Sequence, residues 1–232
     1  MMWLTLWNNK FFFDEDSKNI IVNWKKIIPS VRTYSQMRDL YLQKDDTIPS
    51  DFWLYYMFRW FYLSDEDKLK FDKNGLRYDI TVLVPQIIWK EYNKTFWHYH
   101  PKKQNWKTYE EIYEVLYGEA IFLQQNPSTR EVVYTYAKKW DKVLMKEGFW
   151  HITINPSKDF LVMANIVSNK FNSIYDDYKN LKGWAYYFTL DWFVKNKNYD
   201  HDYNLKELKE YFVSKSLYND YLQYPEKFIF LS

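Results

Sequence analysis

The chain has 232 residues, with 32 Lys plus Arg against 30 Asp plus Glu, and no Cys. A net charge of +2 supplies no single-signed field for nucleic acid or an anionic membrane, even with 22% aromatic residues available for base stacking. The missing Cys removes disulfide frameworks, thiolate-held metal sites and thiol catalysis, and 47% apolar residues over this length are enough for one folded domain spanning 1–232.

One feature of the composition is unusual. Ordinary chains hold ~7% Gly, roughly sixteen residues at this length, whereas this one holds four Gly and twelve Trp, which together make that number.

The aromatic-rich N-terminal 30 residues carry two short strand patterns, at 4–7 and 20–24. They lack the positive region and small-residue cleavage site of a secretory leader, and no stretch approaches 18 apolar residues, so a soluble, unprocessed, cytoplasmic protein is expected. Met37, Leu40 and Tyr41 suit a short helix over 31–44, and 54–62 reads as a strand. A run of short strand patterns follows at 78–84, 97–100, 112–117, 120–124, 132–138, 142–145, 151–154 and 161–167, most of them separated by turn residues, as in an antiparallel sandwich or barrel. A further hairpin is expected over 185–193. Leu205, Leu208, Phe212 and Leu217 then have near-helical spacing, which predicts one or two short terminal helices.

Of the four His, three lie in the strand-rich part. If the segment around His98 and His100 is extended, the period of two turns both rings to one face; Glu111 and Tyr113 share a face of the next strand, and His151 begins a later one. Three imidazoles and a carboxylate suit Fe(II), Mn, Ni or Zn with positions left for substrate oxygens, although a His-x-His pair is also common as two partly exposed strand histidines. Glu110 and Glu114 compete with Glu111 for the carboxylate role. His201 belongs to a polar loop.

The segments 76–85 (LRYDITVLVP), 90–101 (KEYNKTFWHYHP) and 111–120 (EIYEVLYGEA), with Gly148, His151 and Asn155 at second-motif spacing, strongly resemble the cupin-type, archaeal-like glucose-6-phosphate isomerases. Similar stretches at 161–165, 185–187 and 225–228 extend the likeness over 31–230. The resemblance implies an all-β cupin double-stranded β-helix, a jelly-roll barrel with its core about 52–170 and short helical extensions, acting as a homodimer. It implies one divalent metal, Fe(II) above Mn, Ni or Zn, on His98, His100, Glu111 and His151. The activity implied is interconversion of glucose 6-phosphate and fructose 6-phosphate, either by proton transfer with Glu111 as base and Tyr113 beside it or by a hydride shift between C1 and C2. Thr81, Thr95, Trp97, Tyr113 and Tyr175 fall at substrate positions, and Lys94 could add positive charge for the phosphate. A cupin dioxygenase or epimerase, or a sugar-binding cupin blocked by Trp97, are the alternative functions.

Trp97 stands where the family has Gly before His-x-His, and Trp60, Trp89, Trp140, Trp150, Trp184 and Trp192 likewise fall at glycine positions of its turns or pocket. Trp supplies neither positive φ nor close backbone approach cheaply. Most of these Trp are therefore read as glycines encoded by UGA and written as Trp.

Overall fold

A computed structural model of the protein describes every residue except 7–8, 97–99, 102, 104–106 and 172–180. The expected positions Trp97, His98 and Tyr175 lie outside the described residues, as does most of the 97–100 strand.

At the N-terminus β1 (Met2–Leu6), β2 (Asn9–Asp14), β3 (Asn19–Val22) and β4 (Lys25–Ile27) form an antiparallel meander. Alternation along it buries Leu4, Leu6, Phe11, Phe13, Ile20 and Val22 on one face. The chain then runs through β5 (Ser30–Thr33), one helical turn α1 (Tyr34–Met37), β6 (Trp53–Phe58), helix α2 (Asp65–Lys73), β7 (Leu76–Leu83), β8 (Ile87–Ile88) and β9 (Glu91–Tyr92). Next come β10 (Glu111–Tyr117), β11 (Glu119–Asn126), β12 (Glu131–Lys138), β13 (Lys142–Met145), β14 (Trp150–Ile154), β15 (Leu161–Ser168), β16 (Tyr186–Thr189), β17 (Trp192–Lys195), β18 (Asn204–Glu207) and helix α3 (Leu217–Gln223).

Two sheets carry the centre of the molecule: six strands in the order β13-β10-β15-β7-β6-β5, and four in the order β14-β11-β12-β18. Tyr113 and Val115 of the first sheet pack with Ala120 and Phe122 of the second. The opposite face of the six-stranded sheet, with Ile112, Leu116 and Ile80, packs on the N-terminal meander, α2 and α3. Because β10, β15 and β7 are covered on both faces, they read as nearly continuous apolar runs.

The expected closed jelly-roll barrel is not formed, because no sheet closes on itself. The edge of β12 away from β11 is taken by β18, paired in parallel through Val132 and Leu205, and the far edge of the six-stranded sheet ends at β5. Between the sheets a side chain replaces the missing ladder: Gln124 on β11 donates to Leu144 O at 3.2 Å and accepts from Lys146 N at 2.9 Å. The barrel core expected at 52–170 is therefore a stack of open sheets.

Three local expectations also change. The helix expected over 31–44 is the single turn α1 plus a 3-10 turn at Arg38–Leu40, and the helical spacing from Leu205 belongs partly to strand β18. Helix α2 gave no sequence signal because it buries only Phe71, yet it is well terminated: Ser64 Oγ accepts from Asp67 N at 3.1 Å, acidic residues fill its first turn, and Lys70 and Lys73 close its last.

Nine non-glycine residues among those described have a left-handed backbone, and five of them are Trp: Trp24, Trp60, Trp89, Trp140 and Trp192, with φ of 63°, 58°, 55°, 77° and 89°. Trp150 and Trp184, expected in the same class, are not among these residues; Trp150 is the first residue of β14 and Trp184 is buried.

Candidate metal centre

Alternation along β10 turns Glu111, Tyr113 and Val115 into the space between the two central sheets. Glu111 is the first residue of that strand, paired with Met145 on one side and Val167 on the other. His151 stands opposite Gln124 near the start of β14, on the other sheet. The facing sheets thus bring a carboxylate and an imidazole together, and the loop before β10 adds His100.

The resulting cluster is compact and buried. His151 Nε2 lies 3.0 Å from Glu111 Oε2 and His100 Nε2 lies 3.4 Å from the same oxygen, with all three side chains at most 4% exposed. One ligand atom from each residue falls within 4.8 Å of the others. His100 Nδ1 is 2.8 Å from the Tyr109 carbonyl oxygen. A carbonyl only accepts, so Nδ1 bears a proton in this contact and Nε2 is the nitrogen turned toward the cluster. Two imidazole nitrogens with one carboxylate are an ordinary donor set for a divalent transition metal. The buried cluster can therefore coordinate a divalent metal, and residues 100, 111 and 151 are those that would hold it.

Asn165 on β15 donates its Nδ2 hydrogen to Glu111 Oε1 at 2.5 Å, which orients the carboxylate so that Oε2 faces the histidines. Tyr113 is buried with its ring 5.8 Å from that of His151; loss of solvent, then the Glu111 charge, pushes its phenol well above the usual range, so it is a neutral hydroxyl donor.

The cavity beside the cluster is walled in part by Thr81, Thr95, Tyr113 and Asn165. Thr95 Oγ1 accepts from Thr153 N at 2.9 Å, which leaves its own hydrogen available to donate. The cavity volume of about 70 Å³ holds an ion and a few small ligand atoms, well below the ~300 Å³ of ordinary organic-ligand pockets, so a sugar phosphate requires the walls to move apart.

Other sequence expectations fall elsewhere. Lys94 is 3% exposed, ion-paired with Glu91, and donates to Leu40 O at 2.8 Å, so it is a core residue and not a phosphate group's cation. Of the competing carboxylates, Glu114 is on the opposite face of β10, paired with Lys142 at 3.1 Å, and Glu110 is outside the cluster. His201 is exposed. Sequence reasoning overlooked the orienting role of Asn165 and the Tyr109 carbonyl, neither of which has a composition signal. It also overlooked Arg77 and Asp79, whose i, i+2 spacing on β7 puts them on the face carrying Thr81.

The sequence model of one family, described as Glucose-6-phosphate isomerase (GPI), matches residues 31–204, three quarters of the chain. The match stops short of the 230 expected from sequence. No curated protein matches. Among solved structures, an oxalate oxidase is similar at 13% identity and a TM-score of 0.42, covering 60% of this chain and 62% of that one. Peruvianin-I, a cysteine peptidase from Thevetia peruviana latex, is similar at 16% identity and a TM-score of 0.35, with 44% and 55% covered. A protein with a double-stranded β-helix domain from Klebsiella pneumoniae reaches 20% identity and a TM-score of 0.31, with 41% and 69% covered. The chain spans 55%, 49% and 30% of the first three structures it matches. At TM-scores below 0.5 these likenesses carry no argument about fold or activity. Among the described residues, no helix is long and apolar enough to cross a membrane.

Proposed function

Because this chain belongs to the glucose-6-phosphate isomerase family, we propose that it interconverts glucose 6-phosphate and fructose 6-phosphate at a divalent metal, Fe(II) in the first instance, in a homodimer. The observation that carries the reading is the buried His100, Glu111 and His151 cluster lying inside the family match. His98 completes the ligand set on sequence likeness, as Trp97 and Tyr175 join the substrate contacts on the same ground.

A divalent ion in the cluster would supply Lewis acidity, stabilising negative charge that develops on the sugar's O1 and O2. Glu111 is the proton carrier: its carboxylate takes the proton from C2 of the aldose and returns it to C1, while the O2 hydroxyl proton passes to O1 and the carbonyl moves from C1 to C2. Asn165 holds one oxygen of that carboxylate and so fixes its plane. Tyr113, neutral and buried beside Glu111, donates to a substrate oxygen, and the Thr81 and Thr95 hydroxyls bind further along the cavity.

The test is a coupled assay in both directions on the full chain reconstituted with Fe(II) or Mn(II). Interconversion is expected, and Glu111→Gln should lower turnover by about 100-fold or more while the protein stays folded. Absence of interconversion by the metal-loaded protein rejects the function; near wild-type turnover in Glu111→Gln rejects the base.

A further inference from the structure

We infer that residues 24, 60, 89, 140 and 192, written as Trp, are glycine in the natural protein, because the backbone at each takes the left-handed conformation that turns and bends reserve for glycine. The inference stands on main-chain geometry and is independent of the isomerase reading. It also changes the set read from sequence: Trp24 enters it, and Trp150 and Trp184 leave it.

All four Gly have positive φ, as do five of the nine Trp among the described residues, whereas only Lys18, Asn23, Arg130 and Lys182 do so among all other types. Bulky side chains rarely enter this region, because it brings Cβ against the neighbouring carbonyl. At the ~5% frequency of an ordinary non-glycine residue, five Trp out of nine would arise on the order of once in 30,000 trials. Trp in this chain follows the backbone habit of Gly and of no other residue type.

Four of the five positions are ones that a defined turn gives to glycine. Asn23 and Trp24 form the two-residue loop between β3 and β4, with Val22 paired to Lys25 and φ of 47° and 63°, as an Asn-Gly type I′ turn requires. Trp89 and Lys90 join β8 to β9 inside the Ile88 and Glu91 pair, and φ is positive at the first of them alone, the glycine position of a type II′ turn. Between β12 and β13, Asp141 N donates to Lys138 O at 2.9 Å, so Lys139 and Trp140 are the central residues of a β-turn. Trp140 has φ of 77° while Lys139 is not left-handed, the arrangement of a type II turn with glycine in third place. Trp192, with φ of 89°, follows the Leu190-Asp191 turn between β16 and β17 in the left-handed position that a G1 bulge fills with glycine. The fifth, Trp60, has φ of 58° where the chain bends away from the end of β6.

The side chains offer little in return for this strain. All five are at least 40% exposed, and Trp24 is 99% exposed, against the usual burial of Trp. The indoles of Trp60, Trp89 and Trp140 lie 5.9, 5.4 and 4.9 Å from the cations of Arg77, Lys90 and Lys139. Of the five, Trp192 alone has ring neighbours among the described residues, namely Tyr134, Phe188 and Phe193. The hydrogen bonds at these positions run through the main chain. Trp60 N donates to Asp79 Oδ1 at 2.9 Å, Trp89 N to Asp45 Oδ2 at 3.2 Å and Trp140 N to Val115 O at 2.7 Å, and Trp192 O accepts from Thr189 Oγ1 at 2.9 Å. Glycine keeps every one of them.

Trp and Gly share no side-chain chemistry, but UGA differs by a single base from a codon of each. A source that reads UGA as glycine yields this pattern when its gene is translated with UGA as Trp. Trp97, if encoded the same way, is then glycine as well, and no indole precedes the expected ligand His98.

Peptide sequencing of the natural protein by mass spectrometry, with its gene read alongside, tests the assignment. Glycine is expected at 24, 60, 89, 140 and 192, each with UGA as its codon. A Trp residue or a UGG codon at any of the five overturns it. A second measurement compares the chain as written with a form carrying Trp24→Gly, Trp60→Gly, Trp89→Gly and Trp140→Gly by urea denaturation. The glycine form should show the higher midpoint with metal content unchanged, and an equal or lower midpoint overturns the backbone argument. Neither readout involves isomerase activity, so failure of that reading leaves this one standing.

Discussion

Asn165 Nδ2 donates to Glu111 Oε1 at 2.5 Å from the neighbouring strand, so the carboxylate central to the metal cluster is aimed by an amide on β15. Removing such an orienting group leaves the ligands in place but frees their geometry, and losses of about 10- to 100-fold in metal affinity are usual. Asn165→Ala should therefore show weaker Fe(II) or Mn(II) binding by that factor with an unchanged fold. Elemental analysis after dialysis against graded chelator measures it, and wild-type retention would remove Asn165 from the site.

On the other face of β10, Glu114 and Lys142 form a buried ion pair at 3.1 Å, with the Glu114 carboxylate also accepting from Leu217 N at the start of α3. Lys142 donates to Trp140 O and Lys215 O as well. Breaking one side of such a pair strands a buried charge, so Lys142→Met should destabilise by about 3–5 kcal/mol. Glu114→Leu combined with Lys142→Met should recover a large part of this. Urea denaturation with constant m measures both, and equal stability of the single and double variants would contradict the account.

The legible parts of the molecule were those written in local pattern. Glu111 and Tyr113 could be set on one face because a period of two sorts faces within a strand, the choice of Glu111 and His151 as ligands came from the family resemblance, and the central strands were legible because they are apolar throughout. Closure was not legible, since it depends on which chain takes the edge of β12. The residues that do so, from Asn204, carry a spacing shared by helix and strand. Arg77 and Asp79 went unassigned because a strand's alternation shows a shared face without showing that the face borders a cavity.

Glu91 is buried against Lys94, accepts from Leu42 N at 2.7 Å, and sits near Tyr41 and Tyr187. Burial raises its carboxyl above the ordinary 4.5, with the Lys94 charge opposing the rise, and burial lowers Lys94. The Glu91 contribution to stability is thus full below 4.5 and lost as pH rises through the folded value; that of Lys94 is full above 10.5 and lost as pH falls through its own. Lys94→Met removes the opposing charge, so its deficit against wild type should widen as pH rises from 4.5 toward neutrality, while Glu91→Gln combined with Lys94→Met should lack that component. Thermal midpoints across this range measure it, and a deficit independent of pH would contradict the sign.

Two tryptophans should respond to glycine in opposite directions. Trp24 has φ of 63° in a two-residue hairpin and is 99% exposed, so Trp24→Gly relieves a left-handed side chain and removes no packing; a gain of about 1 kcal/mol is expected. Trp184 is 3% exposed and packs in the apolar cluster with Ile121, Ile152 and Phe188, so Trp184→Gly should lose about 3–5 kcal/mol through the cavity it leaves. Denaturation of the two single variants under one set of conditions reads both signs. Destabilisation by Trp24→Gly would mean that the exposed indole holds the turn through contacts, and the backbone argument for glycine at the four other left-handed Trp would fall with it.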